Sequence, residues 1–138
     1  MSGAEIFALV TGVMTVISFA ADTAKVCKAL YDGTADADLN DRTTSLRNAC
    51  KEMQAHCNAV QPHTAEERDL VGLARKCELL SADLLKQVDD TRARKKSVLA
   101  TARAAVKSFK GKSKIQKCED NLAKYQDILK TTLLVRLW

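Results

Sequence analysis

The chain has one proline, five glycines and only 4% aromatic residues over 138 positions. Proline and glycine punctuate sheet-rich folds, and aromatic and β-branched runs fill their strands. Their scarcity argues against a sandwich or barrel and leaves long helices as the expected architecture. Catalytic signatures are also missing. There is no glycine-rich phosphate loop, no His-Glu-x-x-His pair and no nucleophile elbow. His56 and His63 fall near one helix end, where they are expected to face solvent, and the carboxylates are scattered among basic residues. The chain is therefore read as a non-enzyme without cofactor or small-molecule substrate.

The five cysteines, Cys27, Cys50, Cys57, Cys77 and Cys118, are odd in number and each occupies an apolar helical position. That pattern opposes a secreted disulfide framework and fits small buried hydrophobes in a reducing, cytoplasmic compartment. The grouping Cys50, His56, Cys57, His63 lacks the close paired ligands of a structural zinc site, so no metal is expected.

Charge is scarce in one place and crowded in another. The net charge is +5, yet ten Lys or Arg and no Asp or Glu lie between Thr91 and Lys117. The rest of the chain, with 12 basic and 17 acidic residues, is net negative. So one-sided a block favours an anionic partner. Nucleic acid is not the expected one. No helix-turn-helix, zinc finger or aromatic stacking platform accompanies the charge, and Phe109, the lone aromatic of the run, falls on an apolar stripe.

Apolar periodicity predicts five helical segments. The first covers residues 3–31, with Ile6, Val13, Ala20 and Cys27 recurring every seven positions, and Gly33 is its expected stop. The second covers residues 38–60 and the third 65–91, separated by Pro62 and opened by the capping box Thr64-x-x-Glu67. A fourth is expected over 95–110, a break at Gly111, and a fifth over 113–138 capped by Ser113-x-x-Gln116. Short connections favour antiparallel neighbours. The fold class is all-α, an up-down bundle of four to five helices with a long hydrophobic N-terminal helix, in a single domain over 1–138.

Residues 6–21 contain no charge. A signal peptide would need a basic region before this stretch, whereas only Glu5 precedes it and the helical seam runs on in phase to Tyr31. At about 1.5 Å per residue the stretch reaches roughly 24 Å, short for a lone membrane span. A soluble core explains the seam but not Phe7, Met14 and Phe19, which put apolar bulk on the other faces. Such a helix suits burial in protein in one state and in lipid or another subunit in a second. The basic stripe Lys96, Arg103, Lys107, Lys110 and Lys114 supplies a surface for anionic lipid.

The opening MSGAEIFALVTGVMTVISFAADTAKVCKAL, followed by amphipathic helices ending in LKTTLLVRLW, resembles the HeLo-like N-terminal domains of fungal STAND (NLR-type) immune receptors and cell-death proteins. These are distantly similar to the four-helix bundle of mixed-lineage kinase domain-like proteins. The resemblance spans the chain and rests on helix order and the apolar first helix. It implies a programmed-cell-death domain of fungal immunity or heterokaryon incompatibility that self-associates, exposes its first helix and permeabilises the plasma membrane. The membrane-active helix then comprises Glu5, Ile6, Phe7, Val10, Val13, Met14, Ile17 and Phe19. Glu5 either lines a cation path in an oligomer or is a first-turn charge favourable to the helix dipole, the plainer reading. Receptor or regulatory domains are expected in a longer protein, with TTLLVRLW reading as the end of a piece cut from it. The competing reading is a soluble adaptor bundle that acts through protein partners alone.

Overall fold

Apolar residues at three- and four-residue spacing fold the chain into four long helices, seen in a computed structural model: α1 (Gly3–Tyr31), α2 (Leu39–Ala59), α3 (Ala65–Lys96) and α4 (Ala102–Ile128). A π-helical turn, Leu129–Leu133, and a final short helix, α5 (Leu134–Leu137), continue α4. The structure describes the backbone of residues 1–31, 39–96 and 102–137 and the side chains of 1–31, 39–91 and 111–136. No strand occurs among the described residues. The expected stop at Gly33 lies outside them.

Two helices open on reciprocal capping boxes. At α1 the Ser2 N–H donates to Glu5 Oε1 and the Glu5 N–H donates to Ser2 Oγ, each at 3.1 Å. At α3 the Glu67 N–H donates to Thr64 Oγ1, while Glu67 Oε1 accepts from the Thr64 and His63 N–H groups. Each box satisfies backbone donors that the first turn would otherwise leave open.

The pairings fix the topology. Met1 meets Glu67, and Tyr31 meets Thr91, so α1 and α3 start at the same end and run parallel. Asp22 pairs with Arg42, and Gly12 packs on Met53, so α2 runs antiparallel to α1. Lys28 bonds to Gln116 and Glu119, and Tyr31 touches Gly111, so α4 is antiparallel too. The result is an up-down-up-down bundle in which α1 packs on all three other long helices. Its core is built from Leu9, Val13 and Val16 of α1, Leu46 and Met53 of α2, Leu70 and Leu84 of α3, and Ile115 and Leu122 of α4.

The structure corrects the expected break at Gly111. α4 passes through it without interruption, and Ser113 and Gln116 sit inside the helix rather than at a cap. Gly111 is buried where α4 crosses the end of α1. A Cβ there would lie 2.9 Å from Tyr31 Cζ and closer still to the hydroxyl oxygen. The glycine serves close approach, and the helix tolerates its ~1 kcal/mol propensity cost. α3 likewise runs to Lys96, past the expected end at Thr91.

The π turn has a similar logic. The buried stripe Ile115, Cys118, Leu122 widens to four-residue steps at Tyr125, Leu129 and Leu133, more than the 3.6-residue turn of an α-helix accommodates. The wider turn, closed by the Leu134 N–H on the Leu129 carbonyl, takes up the surplus and keeps Leu129 and Leu133 inside.

Candidate functional site

The site to be built is α1 itself. Among the described residues it is the one helix long and apolar enough to cross a membrane. Core helices meet the same test of length and composition, so the placement of its side chains decides what it offers. Leu9, Val13, Val16, Ala20, Ala24 and Cys27 are wholly buried, and Val10 and Ile17 nearly so. This is the heptad seam read from the sequence. Ile6 is half-buried against the same core.

The opposite face is a second seam. Ala4, Phe7, Thr11, Met14, Ser18 and Ala21 are all exposed, again at three- and four-residue spacing, and none is charged. Phe7 is 62% and Met14 46% exposed, two apolar knobs seven residues apart on one stripe. The other large exposed apolar side chains among the described residues, Leu79 and Val135, lie on separate helices. Phe19 departs from expectation: it is half-buried and packs on the core, so it does not join Phe7 and Met14.

Glu5 lies in the first turn of α1 and closes its capping box. Its carboxylate is held by Ser2, first by the backbone N–H and then by the hydroxyl, and these bonds lower its pKa. The sequence SGAE carried this capping box, and the reading of Thr64-x-x-Glu67 had the rule needed to find it. A second clasp was not legible. The Met1 α-amine lies 3.3 Å from Glu67 Oε2, with both groups withdrawn from solvent. Glu67 thus caps α3 with one oxygen and holds the start of α1 with the other. The His63 and Thr64 N–H groups and the Met1 amine all favour its ionised form and lower its pKa.

At the far end of α1, Thr91 donates to Tyr31 Oη at 2.8 Å, and Cys27 Sγ lies 3.7 Å from Thr91 Oγ1. Lys28 reaches α4 through Gln116 and Glu119. Polar fastenings therefore hold both ends of the apolar helix, and the uncharged stretch 6–21 between them is held by packing.

Of the basic surface, Lys114 is exposed on α4. The side chains of Lys96, Arg103, Lys107 and Lys110 lie outside the described residues. All five cysteines are thiols. Burial pushes the pKa of Cys77 and Cys118 up to about 12, which leaves them protonated and unreactive at neutral pH. No group of three or more His, Cys, Asp or Glu among the described residues is arranged to hold a metal ion.

The chain matches no family model, no curated protein and no solved structure.

Proposed function

We propose that this bundle is a membrane-acting signalling domain. It docks on anionic lipid through its basic surface, self-associates, and transfers α1 from the protein core into the bilayer. One observation carries the reading: the helix that forms the centre of the core also turns to solvent an outer face that is uncharged from Ala4 to Ala21, with Phe7 and Met14 exposed. A helix whose only task is to fill a core places charges on its outer face, as α2 and α3 do. The resemblance to HeLo-like domains supports the wider role, execution of cell death at the plasma membrane in fungal immunity, with receptor or regulatory domains as the source of the trigger.

Vesicle leakage tests the reading. The protein, alone and as a forced oligomer, is added to phosphatidylcholine–phosphatidylserine vesicles loaded with a fluorophore. Leakage is expected from the oligomer and is expected to fall as salt rises. Phe7→Asp is expected to keep the fold and lose leakage, because the side chain is exposed. Val13→Asp is expected to lose the fold, because it places an unpaired charge at a wholly buried position. If neither protein nor oligomer binds or leaks vesicles, the membrane role fails.

The adaptor reading has one observation in its favour. Both ends of α1 are fastened by polar contacts, at Met1–Glu67 and at Tyr31–Thr91, as suits a helix that stays in place. It predicts that Phe7→Asp disrupts a protein complex and leaves every lipid assay unchanged.

A further inference from the structure

A groove of about 370 Å³ runs between α3 and α4. Its floor is apolar: Leu84, Ile115 and Cys118 are buried, and Leu80 is half-buried beside them. Its rim is basic. Lys86 from α3 and Lys114 and Lys117 from α4 are exposed around it, with Asp83 the one acidic residue among the lining groups. Among the described residues none of these four charges is engaged in an ion pair. Glu119, the next carboxylate along α4, is occupied by Lys28.

We propose that this groove binds a single lipid bearing a phosphomonoester headgroup, of the phosphatidic acid type, with the phosphate on the lysines and the first part of an acyl chain on the floor. The inference deepens the membrane reading and rests on it. Size range and rim charge select this occupant. An amphiphile with a small anionic head fits a space in the usual small-ligand range.

Charge then selects the head. Three lysines against Asp83 leave a net of +2 at the rim. A phosphomonoester carries roughly −1.5 to −2 at neutral pH and matches it, whereas a phosphodiester lipid carries a single charge and leaves one lysine uncompensated. The floor does not oppose the anion, since the buried Cys118 thiol stays protonated. The lysines come from two helices, so one phosphate bridges α3 and α4.

The test uses monomeric dioctanoyl phosphatidic acid titrated into the full chain by calorimetry, beside dioctanoyl phosphatidylglycerol and inorganic phosphate. Phosphatidic acid is expected to bind about tenfold or more tightly than either comparator. Lys114→Ala with Lys117→Ala is expected to weaken it by about tenfold, and the Arg replacements to retain it. Circular dichroism of the alanine variant is expected to match the parent, because both lysines are exposed and neither forms an ion pair among the described residues. Equal binding of the two lipids, equal binding of inorganic phosphate, or indifference to the lysine changes overturns the proposal. A protein that leaks phosphatidylserine vesicles yet ignores monomeric phosphatidic acid retires the groove and leaves the membrane reading standing. One that binds the monomeric lipid but no vesicle does the reverse.

Discussion

Gly111→Ala separates a glycine that ends a helix from one that lets two helices touch. At an ordinary exposed helical position, replacing glycine by alanine stabilises by about 1 kcal/mol. At Gly111 the added Cβ meets Tyr31, with Cζ at 2.9 Å and Cε1 at 3.3 Å. Forcing a methyl group into such a contact costs ~1–3 kcal/mol. Moving the tyrosine ring also removes the Thr91 hydrogen bond to its hydroxyl, now 2.8 Å long, for a further ~0.5–1.5 kcal/mol. After the propensity gain is subtracted, a net destabilisation of about 0.5–3.5 kcal/mol is expected. Urea unfolding followed by circular dichroism measures it. In the Tyr31→Phe background the nearest clashing atom and the hydrogen bond are both absent, so the same glycine change is expected to cost about 1 kcal/mol less. If Gly111→Ala stabilises by a similar amount in both backgrounds, α4 does not pass this close to α1, and the reading of this position as a helix break returns.

Gly12→Ala is the control for that experiment. Its Cβ would rest 3.6 Å from Met53 Cβ, ordinary contact, so a stabilisation of about 0.5–1 kcal/mol is expected in the same urea assay. Glu67→Gln is expected to lower stability at neutral pH, because the amide loses the charge that holds the Met1 amine. The pKa of Glu67 is lowered on folding, so its contribution is complete above the ordinary glutamate value of 4.5 and is lost as pH falls through the lower folded value. The gap between parent and variant urea midpoints therefore narrows on acidification below that value. A gap independent of pH means that the ionised carboxylate is not what holds the helix.

The limits of α1, residues 3–31, and its heptad seam were legible in the sequence because they are local: apolar spacing fixes which face turns inward. The capping box at Thr64 and Glu67 was legible for the same reason. Gly111 misled because the local rule, glycine as punctuation, was overruled by a tertiary contact with Tyr31 that no window of sequence contains. The second role of Glu67 was hidden likewise, since its partner is the other end of the chain's first helix. Within the candidate site, Phe7 and Met14 were placed correctly outward because the seam had already filled the other faces. Phe19 lies on the flank between the two seams, where spacing does not decide, and the neighbouring helices draw it onto the core.

If α1 enters a bilayer as proposed, the order of events follows from magnitudes. α1 buries seven branched side chains, Leu9, Val10, Val13, Val16, Ile17, Val26 and Leu30. At about 1.5–3 kcal/mol each, exposing them to water costs ~10–20 kcal/mol, as much as the whole stability of a typical domain. A folded protein with α1 loose in water is therefore not a populated state. Lipid changes the balance, because the same side chains are taken up by hydrocarbon and Phe7 and Met14 are buried there for the first time. On the proposed reading docking comes first, supplied by lysines at roughly 1 kcal/mol each near an anionic surface. Exit and insertion must then be one step. On that reading the three helices left behind would lose a wall of their core, and a second copy would be the natural replacement, tying the proposed self-association to insertion. Amide exchange of the α1 core in lipid-free solution is accordingly expected to occur only through global unfolding, with the urea dependence of the whole bundle. Exchange at Val13 and Val16 by a smaller opening, with little urea dependence, would mean that the helix leaves in water and that the energetic order argued here is wrong.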